Sequence, residues 1–171
     1  LYNRGDYNDP AYEVKAAVPE KLPAMDPALP KNRLGLATWL FDKKNPLTAR
    51  VAVNRYWQLI FGQGLVNTPT DFGVQGALPS HPKLLDALAI DFMESNWDVR
   101  QLLKKMVLSR TYQQTSQTSP ELYDKDPNNV FLARANRYRL PAEMIRDNAL
   151  ATSGLLVEQL GGESVKPYQP E

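Results

Sequence analysis

His81 is the only histidine in the 171-residue sequence, and cysteine is absent. The lone imidazole, set between Ser80 and Pro82, offers a general base, a haem ligand or a structural tie between the glycine-rich loop and the helix start, with Asp71 a short way upstream as its candidate partner. Together with Ser80 these are the residue types of a nucleophilic triad. Ser80 and His81 are adjacent, however, and adjacent side chains in a first helical turn point about 100° apart. The hydroxyl–imidazole hydrogen bond that such chemistry needs is therefore not expected, and Ser80 is expected to serve as a helix N-cap. A second cluster follows in the charged stretch 134–147, where Arg137, Arg139, Glu143 and Arg146 offer an anion or carboxylated-glycan site, or an internal salt-bridge network. Arg50 and Asn54 complete the candidate ligand-binding set of His81, Asp71, Asn54, Arg50, Arg137, Arg139, Glu143 and Arg146. No residue is assigned a catalytic role. The pair Asp86 and Asp91 is not spaced for one helix face and does not read as a glycosidase pair.

Composition narrows the chemistry further. Without cysteine the chain has no disulfide, no thiol nucleophile, no thiolate metal site and no covalent haem attachment of its own. One histidine excludes a three-histidine zinc site and a HExxH helix. Twenty Lys+Arg against nineteen Asp+Glu give a net charge of +1, which argues against a polybasic nucleic-acid or membrane-surface protein. No apolar run approaches the ~20 residues of a membrane span. The expectation is no metal and no cofactor in this chain, no nucleic-acid partner and no membrane span. Glycine-rich phosphate-binding patterns are absent. Leu1 at the start and the polar run 166–171 at the end suggest cuts through a longer polypeptide, and no signal-peptide pattern opens the chain.

The elements that must position these residues read as helices. Prolines 10, 19, 23, 27 and 30 make residues 1–31 an extended arm or linker. Asn32 caps a helix over 33–41. Asn45-Pro46 starts a longer one, with Asn as cap and Pro in the first turn, which runs to Phe61 and stops at Gly62 or Gly64. Its apolar residues fall on two sides, one of them shared by Ala49, Ala52, Val53, Tyr56, Trp57, Leu59 and Ile60. That makes the helix central and requires Arg50 and Asn54 to find partners. Residues 62–79 hold four glycines and two prolines and form a shaped loop, with one helical turn over 69–72 capped by Thr68. The next helix opens at Ser80-His81-Pro82 and carries Leu84, Leu85, Leu88, Ala89, Phe92 and Met93 on one stripe. Asp98 caps another, with Val99, Leu102, Leu103, Met106 and Val107 inward. Residues 113–119 are a polar connector. Asp126-Pro127 begins a short helix through Val130, Phe131 and Ala133, and Pro141 begins a last one, with Met144, Ile145, Ala149 and Leu150 inward, that continues toward Leu156 and ends at Gly161-Gly162.

No alternating segment competes. The expectation is an all-α, irregular orthogonal domain of six or seven helices with long loops over 32–165, and a following linker from 166.

Several strings occur together: Asn54-Arg55-Tyr56-Trp57, the run from Phe61-Gly62-Gln63-Gly64 to Pro69, Asp71-Phe72-Gly73-Val74-Gln75-Gly76, and Pro79-Ser80-His81-Pro82 with Leu84-Leu85-Asp86. Ser109-Arg110-Thr111-Tyr112-Gln113-Gln114, the stretch 139–147 and the tail strings 153–156 and 161–167 join them. The sequence resembles a planctomycete-specific domain of unknown function that ends many large planctomycete cytochrome c-domain proteins. It departs from that pattern at Gln113, where arginine is expected, and at Tyr138, where a doubled arginine is expected before Leu140. The resemblance implies an exported, multidomain parent in the periplasm or cell envelope. Its haem c is carried by another domain, and a sugar-binding module accompanies it in some cases. It implies no established activity. The reading is a non-catalytic docking module contacting neighbouring domains of its own polypeptide through the loop 62–79 and the start of the His81 helix. The alternative is a contribution to a polysaccharide-binding or polysaccharide-processing site.

Overall fold

A computed structural model describes residues 1, 3–159 and 161–163. They form six α-helices and one short 3-10 turn, with no strand among them; the chain is all-α. The helices are α1 (Arg33–Leu40), α2 (Thr48–Phe61), α3 (Pro82–Glu94), α4 (Val99–Val107), α5 (Pro120–Lys125) and α6 (Ala142–Thr152), and the turn is Asn3–Gly5. None is long and apolar enough to cross a membrane. The backbone gathers into two compact units, 1–136 and 137–171.

The core of the first unit lies where α2 meets α3 and α4. Val53, Trp57 and Phe61 from α2, Leu85, Leu88 and Phe92 from α3, and Leu102 and Met106 from α4 are buried together. These are the three- and four-residue spacings that bring side chains onto one helix face. Leu65 and Val66, which belong to no helix, are buried in the same cluster. Leu59, placed on the apolar face by spacing, is exposed, because it lies at the edge of the stripe that runs from Ala49 through Trp57. Ring stacking of Trp57 on Phe61 at 4.0 Å and edge contacts of Phe92 with Tyr56 and Trp97 fill the space between the helices.

The helix ends obey local hydrogen-bond chemistry. The Asn32 carboxamide accepts from the backbone N–H groups of Leu34 and Gly35, and Asp98 accepts from Gln101. α2 stops at Gly62, whose φ is 80°. The start of α2 is later than Asn45-Pro46 predicts: the Asn45 side chain accepts from Leu47 N–H, and the helix begins at Thr48. Asn45 therefore closes a turn that precedes the helix.

The helix expected from Asp126 does not form. Both Asp126 carboxylate oxygens accept backbone N–H groups, from Val130 and Phe131. Asn129 and Leu132 take left-handed backbone angles, which interrupts any helical run. The buried Asn129 amide donates to Arg134 O and accepts from Arg134 N–H, which fixes the reversal. A helix forms instead over Pro120–Lys125, where Ser119 accepts from Leu122 N–H and Pro120 occupies the first turn.

The second unit is built around α6. The helix ends at Thr152 rather than continuing toward Leu156, because Gly154 adopts φ 72° and the N–H groups of Leu155 and Leu156 turn back to Leu150 O. This is the glycine-terminated C-cap that releases the chain from the helix. No residue of α6 is buried: Met144 and Leu150 are half-covered, while Ile145 and Ala149 are exposed. So short a segment has too little apolar surface to enclose a core of its own. The linker expected from residue 166 lies outside the described residues.

Part of the proline-rich segment rests on α1. Trp39 Nε1 donates to Pro23 O at 2.8 Å. A Cβ added at Gly35 would fall 1.9 Å from Pro30 O, so helix and segment meet backbone to backbone. Gly→Ala in a helix interior normally stabilises by about 0.5–1 kcal/mol. Gly35→Ala is expected to reverse that sign and lower stability by about 1–3 kcal/mol, read as a lower urea midpoint at unchanged slope.

Candidate functional site

The loop 62–80 is the most elaborated feature among the candidate residues, and it is built from the backbone outward. Asn54, buried in the middle of α2 with 0% exposure, presents its carboxamide to Val66: Nδ2 donates to Val66 O at 3.0 Å and Oδ1 accepts from Val66 N–H at 2.8 Å. One side chain so satisfies both polar groups of a buried loop peptide. The carboxamide needs the space that Gly64 leaves open, since a Cβ there would lie 2.6 Å from Val66 O and 2.8 Å from Asn54 Nδ2.

Ser80 closes the loop at its other end. Its backbone N–H donates to Leu65 O at 2.8 Å and its hydroxyl donates to the same oxygen at 3.2 Å. It is not the N-cap of α3; that position is held by His81, without a side-chain cap bond. Between the two closures, Thr68 Oγ1 donates to Asp71 O and accepts from Ala77 N–H, which joins the two limbs. Residues 68–71 make a hydrogen-bonded turn and not the helical turn expected there. The Asp71 carboxylate accepts from Gly73 N–H at 2.7 Å, the Asx arrangement that tightens a turn.

His81 Nδ1 lies 3.1 Å from Ser80 Oγ, a contact not expected for neighbours within a helix. It forms because Ser80 precedes the cap, outside helical geometry. Ser80 Oγ thus has two neighbours within hydrogen-bonding reach, Leu65 O and His81 Nδ1, and a single proton to share between them. A nucleophilic triad also needs a carboxylate on the imidazole. No hydrogen bond joins Asp71 to His81 among the described residues. Arg50 is likewise engaged: Nε pairs with Asp86 Oδ1 at 2.7 Å and Nη1 donates to Pro46 O. Lys105 pairs with Asp91 at 2.9 Å, so the two α3 carboxylates tie that helix to α2 and α4 respectively. Both pairs are partly solvated, and each is worth no more than about 1 kcal/mol.

The remaining four candidates, Arg137, Arg139, Glu143 and Arg146, belong to the second unit. Arg137, Arg139, Glu143 and Arg146 are exposed, and Arg146 lies 3.6 Å from the Asp147 carboxylate. No group of three or more His, Cys, Asp or Glu side chains that could hold a metal ion occurs among the described residues.

Sequence reading missed the Asn54–Val66 pairing as such, although an asparagine on an otherwise apolar side of a central helix was the signal for it. The structural roles imply opposite outcomes for neighbouring substitutions. Asn54→Asp keeps the acceptor for Val66 N–H but sets a carboxylate against Val66 O, and is expected to cost about 2 kcal/mol or more at neutral pH. Burial raises the carboxyl pKa in the folded state, so the folded form binds more protons. The deficit should shrink as the pH falls toward ~4 and grow as it rises through the folded pKa. Thermal melts at several pH values measure this. Gly64→Ala is expected to destabilise by about 1–3 kcal/mol. His81→Ala, which loses one contact to an exposed hydroxyl, should shift stability by about 0.5 kcal/mol or less, in the same melting experiment.

Residues 32–171 match PSD1, described as a protein of unknown function (DUF1553). No curated protein and no solved structure matches the chain. Because the match covers most of the sequence, the chain belongs to the PSD1 family of proteins of unknown function.

Proposed function

We propose that the chain is a non-catalytic helical module of a large exported, haem-bearing polypeptide of the planctomycete type, located in the periplasm or cell envelope. It docks onto neighbouring domains of that polypeptide through the loop 62–79 and the start of α3. Haem c belongs to another domain of the parent, since this chain has no cysteine with which to attach it.

The observation that carries the reading is the contrast within the loop. Backbone polar groups at its base and between its limbs are met by Asn54, Thr68 and Ser80. Its tip presents Val74 and Leu78 almost entirely to solvent. Asp71 is the only charged residue in the loop, and its carboxylate is engaged with Gly73 N–H. A loop held in one shape binds with little ordering cost, and apolar side chains on an uncharged tip suit the core of an interface. Catalysis has less support. The Arg50 and Asp86 charges are paired with each other, and the Asp71 carboxylate is turned to its own loop.

The test uses the full-length parent polypeptide with a photo-crosslinking amino acid at position 74 or 78. Crosslinks to residues outside 1–171 of the same polypeptide are expected. Val74→Ser with Leu78→Ser, read from a crosslinker at the neighbouring position 75, should abolish them and leave the melting temperature of the 171-residue chain unchanged. Crosslinks confined to residues 1–171 would overturn the proposal, as would tight, saturable binding of the isolated chain to a polysaccharide on a glycan array.

A further inference from the structure

A cleft of about 260 Å³ opens between the proline-rich segment and the connection from α1 to α2. It lies wholly within the first unit and apart from the loop 62–79. Its lining includes the buried Trp39, which is hydrogen-bonded to Pro23, and Met25. Asn45, Asp42 and Lys44 line it as well.

Asn45 is the informative residue. It is 4% exposed. Its Oδ1 accepts from Leu47 N–H at 3.0 Å, which sets the orientation of the amide. Nδ2 then points away from that bond, and no described residue supplies it with an acceptor. No side-chain nitrogen or oxygen is sealed from solvent without a partner among the described residues, so Nδ2 is open to solvent, and Asn45 lines the cleft. A donor that lines the cleft without a protein acceptor favours a ligand carbonyl over an apolar group.

The charges define the rest of the ligand. Asp26, Asp42 and Lys44 are the charged residues of the lining, a balance that does not favour an anion. One Asp42 oxygen accepts from Lys44 N–H at 2.8 Å, which leaves the other for an incoming N–H. The volume equals that of roughly nine waters at about 30 Å³ each. We propose that this cleft binds a small neutral amide, its carbonyl accepting from Asn45 Nδ2, its N–H donating to Asp42, and a compact apolar body lying along Trp39 and Pro23. Such an amide comes either as a free small molecule or as one residue of a peptide.

Titration of the 171-residue chain followed by 1H–15N NMR tests this, with N-acetylprolinamide as one probe and the capped tripeptide acetyl-Ala-Pro-Ala-amide as the other. Binding should perturb the Trp39 indole N–H and the Asn45 side-chain amide, with Kd near 1 mM for a ligand of about this size. Asn45→Asp keeps the acceptor for Leu47 N–H and removes the donor, and should weaken binding by about tenfold or more while the melting temperature stays close to that of the parent chain. Asn45→Ser provides a second, shorter cap without the reach and should weaken binding similarly. Binding of the small amide, lost in both variants, supports the free-molecule source. Binding of the tripeptide alone, lost in both variants, supports the peptide source. Absence of perturbation at Trp39 and Asn45 with either probe up to about 20 mM would overturn the proposal, as would binding that both variants leave within about twofold.

Discussion

A single buried carboxamide decides how residues 62–80 lie on the helices. Asn54 sits on the central helix, where an unpaired amide would cost several times what a satisfied one contributes. It is satisfied by both polar groups of one loop peptide, at Val66. Much else follows from that pairing. Val66 and Leu65 are drawn into the apolar cluster, Gly64 has room for no side chain, and Leu65 O becomes the acceptor on which Ser80 closes the other limb. The loop is a continuation of the core by other means: backbone groups that would be orphaned by burial are met by side chains from the helix beneath and from the loop itself.

The same economy governs the charged and nucleophilic side chains of the first unit. Arg50 and Asp86 bridge α2 and α3, and Lys105 and Asp91 bridge α4 and α3. Ser80 and His81 come within hydrogen-bonding distance, but among the described residues no carboxylate is hydrogen-bonded to the imidazole. Among the described residues, the residue types of a triad are present without the chain of hydrogen bonds that joins them. Chemistry depends on where protons and charges are directed, and proximity alone is not enough. The arginines of 137–146 are a different case, since they sit on a separate unit with little apolar cover.

The legible parts of the fold were those governed by local rules. The α3 stripe from Leu84 to Met93 and the α4 stripe from Val99 to Val107 are strongly periodic, and the burial pattern follows them. Asn32 and Asp98 cap because each precedes a periodic run with nothing else to bond. Ser80 and Asn45 carry the same signature but bond elsewhere, since a polar side chain at a helix start takes whichever partner the tertiary structure offers. Leu65 O, fifteen residues from Ser80, is invisible to a local rule. The reversal at 126–134 was hidden for a related reason: Asp126 and Asn129 compete with the helix for its own N–H groups. The early end of α6 was available in principle, because Gly154 is the first glycine after the periodic run. For the candidate site, the need of Asn54 and Arg50 for partners could be read from their place on a helix apolar on two sides, but the identity of those partners could not.

Native-state hydrogen exchange at the Val66 amide bears most directly on this account, because it reports whether the Asn54 pairing makes the loop part of the folding core. Val66 N–H, though outside every helix, is expected to exchange only through global unfolding, with a free energy matching that of core amides in α3 such as Leu88. Exchange of Val66 at the rate of the exposed Val74 amide at the loop tip would show the base of the loop opening independently of the helices, and would contradict it.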